Sequence, residues 1–312
     1  MSALNPDVLR ETLGSITLGP GDNDEDGSTP FLIELMGEVP PVLYHYTSAD
    51  AVLGIITRRE LWASQARFLN DTTEISHGLD LCLTHLHARR GSGYRTHFVD
   101  TVQRVLEQMA GRDGTPGFDV YVACFSDGND IIPQWKGYAS DGAGYALGFD
   151  LVRAATLSDT TPHRVIYGER EQHLILDSLV DGYLTVLDRS LQAHSDQEEE
   201  TAKAVGLTLT SALLRILVCF KQDMFSHERE WRLVELVAQS NQKRQCKFRS
   251  SRGVILPYIE LSLGDKISAL PISKIRCGPT SSRGIGLEGT EMLVRQLGLS
   301  CKVTESAAPL RY

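Results

Sequence analysis

The sequence lacks several features that mark common protein classes. Its six cysteines stand singly, and no two have the CxxC spacing typical of zinc sites and redox motifs. No apolar run reaches the roughly 18 residues that a membrane-spanning helix requires. The first residues lack the basic and then apolar pattern of a secretory signal. These absences predict reduced thiols, no bound metal, no membrane contact and a cytoplasmic location.

The well-known catalytic signatures are absent as well. The sequence contains no GxxxxGKS/T phosphate loop and no GxSxG nucleophile elbow. Residues 227–231 begin like the HExxH motif of zinc proteases, but Trp231 stands where the second histidine must be. The chemistry therefore has to be inferred from residues outside these motifs.

Positive charge is scarce, since 31 lysines and arginines stand against 40 acidic residues, giving a net charge of −9. A long nonspecific contact with a nucleic-acid backbone is therefore not expected. The exception is a cluster of five basic residues between two predicted strands: Lys243, Arg244, Lys247, Arg249 and Arg252. This cluster either forms a solvated hairpin loop or binds the phosphates of a nucleotide or nucleic acid, with Lys243, Arg244 and Arg249 contacting the substrate.

The domain organisation is read from changes in composition along the chain. Residues 1–40 are predicted to form an N-terminal extension with a short helix and a mobile acidic loop at 19–30. Residues 41–312 are predicted to form a single α+β domain of the catalytic type. Its strands and helices follow one another irregularly rather than in strict alternation, which favours a central mixed β-sheet with flanking helices over a doubly wound parallel sheet.

His45 is the first candidate site residue. Residues 42–47 are β-prone, and the following Thr-Ser-Ala-Asp is a helix-capping pattern, so His45 ends a strand just before a helix begins. The free N–H groups of that helix start suit an anionic or carbonyl-bearing ligand. His45, with its neighbours Tyr46 and Thr47, is therefore a candidate ligand-binding residue. The alternative is a histidine hydrogen-bonded inside the core.

A second group of polar residues, Asn70, Asp71 and Glu74, opens the next predicted helix. Such residues commonly cap a helix and complement its dipole. The functional alternative is that they flank the same sheet edge as His45, with Asn70 and Asp71 binding a cofactor and Glu74 binding the substrate.

Glu228 and Glu230 form a third candidate group. If the chain is extended there, a spacing of two places both carboxylates on one face. Paired acids at a strand edge can stabilise a cationic transition state and orient a hydroxyl group. Alternatively, they form ion pairs with Arg229, Arg232 or Lys221.

Two aromatic residues, Trp135 and Tyr138, lie three positions apart in a short helix or turn. They either line a pocket and stack on a flat ring, or they pack one helix face against the core.

In this order, these motifs resemble those of an uncharacterised bacterial domain family, and the resemblance covers residues 42 to about 311. The motifs are a tyrosine-histidine-tyrosine opening, an Asn-Asp-x-x-Glu element, a Cys-Phe-Ser strand, a tryptophan with a tyrosine, a glycine-rich strand, a Glu-Trp-Arg strand and a late Gly-Pro. They stand here at 44–47, 70–74, 124–126, Trp135 with Tyr138, 144–150, 230–232 and 277–279. The family itself implies no activity.

The opening strand, the helix through Ile55 and the segment 61–64 are also similar to the start of ADP-ribosyltransferases. This resemblance implies a split β-sheet and NAD as the substrate. It implies that His45 holds the ribose or carboxamide of NAD and that Ser64 lines the nicotinamide pocket. It further implies that Glu230 is the catalytic acid, with Glu228 as the first member of a Glu-x-Glu pair.

The predicted function is transfer of ADP-ribose from NAD to a macromolecule, either protein or nucleic acid, or hydrolysis of NAD. The biological roles that fit are a toxin or a phage-defence effector, with an antitoxin or regulatory protein as a potential partner. One alternative is a non-catalytic sensor that binds a nucleotide in the same pocket. Another is a metal-dependent nuclease, which would need Asp71, Glu74 and a further acid close together.

Overall fold

The computed structural model describes residues 38–69, 73–110, 118–193, 197–238, 246–251, 253–265, 269–280 and 284–310. The helix and acidic loop predicted before residue 38 lie outside these ranges. None of the helices within them is long and apolar enough to cross a lipid bilayer.

The strands of the described chain are β1 (Leu43–Thr47), β2 (Glu60–Gln65), β3 (Phe118–Ser126), β4 (Tyr145–Phe149), β5 (Thr161–Arg164), β6 (Glu230–Ala238), β7 (Lys247–Ser251), β8 (Val254–Ser262), β9 (Ile272–Cys277) and β10 (Lys302–Glu305). The helices are α1 (Ala49–Arg58), α2 (Thr73–Ala88), α3 (Tyr94–Ala110), α4 (Ile132–Tyr138), α5 (Leu151–Ser158), α6 (Glu169–Ala193), α7 (Glu198–Leu217) and α8 (Ile285–Gln296). The predicted mixed α/β organisation is confirmed.

These strands form one sheet in the order β10-β9-β4-β1-β3-β2-β8-β7, and β6 pairs with β3 and with β5. The pairs are antiparallel except for β9 and β10, which are parallel. The predicted large mixed sheet is therefore confirmed.

The sheet is split along one edge of β3. Ser126, at the end of β3, pairs with Tyr44 of β1 and also with Glu230 of β6, so β1 and β6 lie on opposite edges. Val122 pairs with Ser64 of β2 and also with β6, so β2 lies on the same edge as β1. Two strands thus share one edge of β3, and the interval between them is centred on Cys124.

Helix α1 connects the two strands that share this edge, and its ends follow local rules. The Ser48 side chain accepts a hydrogen bond from the Ala51 amide at 3.3 Å and caps the start of the helix. The helix ends at Arg59, whose φ of 59° is left-handed. The helix start predicted at 47–50 is confirmed, but the capping residue is Ser48 rather than Thr47.

The two faces of the sheet carry separate apolar clusters. One contains Val122 and Val234 together with the buried faces of the long helices, among them Phe98 and Leu213. The other contains inward-facing residues from seven strands and from helices α1 and α5, such as Phe149. Burying a Leu or Phe side chain contributes about 1.5–3 kcal/mol, so the two clusters together hold the sheet between its helices.

Two elements differ from the sequence prediction. Helix α5 was not predicted; it begins at Asp150, whose carboxylate accepts a hydrogen bond from the Arg153 amide at 3.0 Å. The solvated-loop interpretation of the basic cluster is wrong for residues 247–251, because they form β7 and pair with β8. Lys243, Arg244 and Arg252 lie outside the described residues.

Candidate functional site

His45 is a residue of β1 and lies beside the gap between β1 and β2 along the edge of β3. Its Nδ1 is 2.9 Å from the carbonyl oxygen of Cys124, and its ring centroid is 5.6 Å from that of Phe125. A carbonyl only accepts hydrogen bonds, so Nδ1 carries the proton and Nε2 of the neutral ring is an acceptor. Burial lowers the pKa of His45 more than the Cys124 bond raises it, and the nearby charge of Arg249 lowers it further. The imidazole is therefore neutral at neutral pH.

Arg249 of β7 reaches across β8 to the same region. Its Nη2 donates to Ser64 Oγ at 2.8 Å, and its guanidinium carbon lies 5.9 Å from the centroid of the Trp62 ring. Its Nε is buried and has no hydrogen-bond partner among the described residues. Three predicted site residues from separate strands, His45, Ser64 and Arg249, are thus gathered on one side of β3. We call these three the split-side residues.

A second group, on the other edge of β3, is held together by charge. Lys221 donates to Glu228 Oε2 at 2.6 Å and to Glu230 Oε2 at 3.2 Å. Arg232 clamps Glu230 through both oxygens, with Nε 2.8 Å from Oε1 and Nη2 2.9 Å from Oε2. All four residues are buried. We call Lys221, Glu228, Glu230 and Arg232 the ion-pair cluster.

The cluster balances two negative charges against two positive ones. Burial alone would raise the pKa of Glu230, but the charges of Arg232 and Lys221 lower it well below the ordinary range for a glutamate. Both oxygens of Glu230 are engaged, whereas Glu228 Oε1 lies 3.4 Å from the Tyr138 hydroxyl. Tyr138 is 40% exposed. Glu228 is therefore the carboxylate that adjoins an exposed side chain.

The ion-pair interpretation of Glu228 and Glu230 is confirmed for Lys221 and Arg232. Arg229 instead lies 3.9 Å from a carboxylate oxygen of Asp127. The strand argument for bringing the two acids together is wrong, because Glu228 ends a 3₁₀ turn and the intervening Arg229 has a left-handed φ of 44°. The ammonium group of Lys221, rather than strand alternation, draws the two carboxylates together.

The two groups meet at Cys124. Its carbonyl binds His45, and its thiol lies close enough to the Glu230 carboxylate to help lower the pKa of that group. Strands β1 and β6 are separated only by β3, which corresponds to about 10 Å between their backbones. By strand alternation the His45 side chain shares one face of the sheet with Phe125, and the Glu230 side chain shares the opposite face with Ser126.

A family model described as a protein of unknown function (DUF2971) matches residues 134–233. The match runs from α4 to β6 and so contains Tyr138 and the whole ion-pair cluster. It agrees with the predicted resemblance to an uncharacterised domain family. No curated protein and no solved structure matches the chain.

The remaining predicted residues near the site divide by exposure. Trp135 is fully buried, its ring packs edge-on against Tyr46 at 4.8 Å, and its Nε1 donates to Asp130 at 2.7 Å. The Tyr46 hydroxyl donates to the Gly128 carbonyl at 2.7 Å. Trp135 and Tyr46 therefore pack the core beneath α4, and of the predicted aromatic pair only Tyr138 reaches solvent.

Other predicted residues remain predictions. Asn70 and Asp71 lie outside the described residues, as do Lys243 and Arg244 of the basic cluster. Glu74 is part of α2, but its side chain is not described. Thr47 ends β1 opposite Tyr145.

Three residues of the site were not singled out by the sequence as ligand-binding groups: Cys124, Trp62 and Tyr167. The Tyr167 hydroxyl accepts a hydrogen bond from the Glu230 amide at 2.9 Å and so fixes the start of β6. Burial raises the pKa of this hydroxyl, as it does for Tyr138. No spacing signal in the sequence links these residues, because each contact joins distant segments.

Proposed function

We propose that this protein cleaves the bond between nicotinamide and ribose in NAD and passes the ADP-ribose to a macromolecular acceptor or to water. One observation carries the proposal. His45 of β1, Ser64 of β2 and the acids at the start of β6, Glu228 and Glu230, all lie beside residues 122–126 of β3, at a split in the sheet. The resemblance to ADP-ribosyltransferases assigns the ligand to these same positions.

The reaction places a clear demand on the site. The bond from C1′ to the pyridinium nitrogen breaks, its electron pair passes to that nitrogen, and nicotinamide leaves as a neutral molecule. The ribose then carries an oxocarbenium-like positive charge, which a nearby carboxylate stabilises. The oxygen of water or of the acceptor adds to C1′ and loses its proton to a base or to solvent.

The residues can be assigned roles in this reaction. The neutral His45 offers Nε2 as an acceptor for a ribose hydroxyl, because its Nδ1–H donates a hydrogen bond to the Cys124 carbonyl oxygen. Glu228 is the better candidate for the catalytic acid, because both oxygens of Glu230 are already held. Glu230 then serves to position Lys221, which in turn holds Glu228.

The test is release of nicotinamide from NAD by the purified full chain, measured by chromatography with protein, RNA, DNA or no acceptor. We expect His45→Ala and Glu228→Gln each to reduce the rate by at least about 100-fold. Glu171→Gln is the matched control: it removes a partly exposed carboxylate of α6 that pairs with Arg164 of β5, and it should keep the wild-type rate. Absence of nicotinamide under every acceptor condition would contradict the proposal.

A second candidate function is a sensor that binds a nucleotide without turnover. The full engagement of Glu230 favours it, because a carboxylate already paired with two cations stabilises a new positive charge less well. This function predicts saturable binding of NAD or ADP-ribose by calorimetry, with the NAD recovered intact. Recovery of free nicotinamide would exclude it.

A further inference from the structure

We infer that Arg249 is the anchor for the diphosphate of the dinucleotide. The inference deepens the proposed function and rests on its ligand, but it concerns binding rather than bond cleavage. It names the residue of the split side that would recognise the phosphate groups.

The first step is the unsatisfied donor. Arg249 Nε is buried without a hydrogen-bond partner among the described residues. A buried guanidinium N–H that lacks a partner is costly, and native proteins usually satisfy such groups or reserve them for a ligand. A phosphate oxygen is a strong acceptor that would satisfy this donor.

The second step is the absence of a competing anion. Glu260, the acid of the neighbouring strand β8, pairs with Lys247, two residues before Arg249 on β7. Within the described ranges no carboxylate forms an ion pair with Arg249. Its positive charge is therefore available to an anionic ligand.

The third step is orientation. The bond to Ser64 and the stacking against Trp62 hold the guanidinium in a fixed position. Trp62 is itself packed against Tyr258, with ring centroids 4.5 Å apart. A planar, pre-oriented guanidinium suits bidentate binding of phosphate oxygens better than a mobile surface lysine does.

The fourth step is the neighbourhood of His45. Arg249 is close enough to lower the pKa of this histidine, and His45 is the residue proposed to hold the ribose. Adjacent subsites for a sugar and for phosphate match a dinucleotide, in which the diphosphate directly follows the ribose.

Calorimetry with ADP-ribose and adenosine tests the inference. For Arg249→Gln we expect the affinity for ADP-ribose to fall about tenfold or more, while any affinity for adenosine changes less than about twofold. Arg249→Lys should recover only part of the loss. Lys247→Gln removes the same charge from the same strand and serves as the control, with affinity for ADP-ribose expected to stay at the wild-type value.

Several outcomes would overturn the inference. These are equal losses for ADP-ribose and adenosine, an unchanged affinity for ADP-ribose, or an equal loss in Lys247→Gln. If Arg249→Gln weakens binding of a ten-nucleotide RNA but not of ADP-ribose, Arg249 binds a phosphate of a nucleic-acid acceptor and not the diphosphate of NAD. That result would also overturn the inference. If Arg249-dependent binding of ADP-ribose is found but NAD is never cleaved, the inference stands and the proposed function fails. If Arg249→Gln cleaves NAD with an unchanged KM, the proposed function stands and the inference fails.

Discussion

The polar groups on the two edges of β3 differ in how fully their hydrogen bonds and charges are satisfied. In the ion-pair cluster, two carboxylates and two cations satisfy one another in a buried, charge-balanced set. On the split side, Arg249 retains a buried N–H without a partner in the described part of the chain, and His45 is a neutral ring with an acceptor nitrogen. The comparison separates two roles. The ion-pair cluster, whose charged groups bind one another, supports the fold, whereas the split side has donors and acceptors that a ligand can still bind.

The largest expected effect comes from breaking the closed network. Lys221→Met would leave two buried carboxylates facing each other with only Arg232 to compensate, so we expect the protein to lose about 3–5 kcal/mol of unfolding free energy. Urea denaturation measures the loss. Lys203→Met is the control, because Lys203 pairs with Glu199 on an exposed helix face and should change stability little. A Lys221→Met chain as stable as this control would show that the cluster does not support the fold.

A smaller effect is expected from His163, which lies opposite Arg232 in the register of β5 and β6. Burial lowers its pKa to about 3, and the charge of Arg215 adds to the shift. The unfolded chain binds the proton near pH 6.5 and the folded chain does not, so stability is complete above that pH and falls as the pH falls. We expect a loss of about 2 kcal/mol between pH 7.5 and pH 5 from this residue.

Denaturation at several pH values measures this dependence. His163→Leu should show a shallower loss of stability on acidification than the wild type. His87→Gln, which removes an exposed imidazole bonded to Gln103, should keep the wild-type slope. Equal slopes in all three proteins would refute the assignment to His163.

The smallest effect on stability is expected on the split side. Arg249→Gln removes the hydrogen bond to Ser64 but also a buried N–H that has no partner among the described residues. These two effects oppose each other, so the free energy of unfolding should change by no more than about 1 kcal/mol. The same variant is expected to lose binding of ADP-ribose. A loss of stability as large as that of Lys221→Met would mean that the two sides do not differ as described.

Much of the fold could be predicted from the sequence, because long strands and helices have clear hydrophobic periodicity. The strand near His45 and the capped helix after it were both predicted. Helix α5 was missed because it is short and directly follows a strand. Strand β7 was missed because its sequence, Lys-Phe-Arg-Ser-Ser, is polar and lies at the edge of the sheet, where burial leaves no pattern.

The site was less predictable than the fold. The sequence named Lys221 and Arg232 as partners for the acids, but it placed His45 at the end of a strand, whereas this residue is the central one of β1. It gave no sign that Arg249 would bond Ser64, which is 185 residues away, since such a contact depends on the strand order. It also suggested a pocket wall at Trp135, whose burial is set by packing against Tyr46 rather than by its spacing from Tyr138.

The connection between β1 and β2 has a mechanical consequence. Both strands are attached to the same edge of β3, and the ten residues of α1 are almost all that joins them. A ten-residue helix is about 15 Å long and nearly inextensible. The helix therefore acts as a rigid spacer that fixes the distance between β1 and β2 beside His45. Inserting or deleting one residue in α1 would misalign the His45 imidazole with Ser64 of β2.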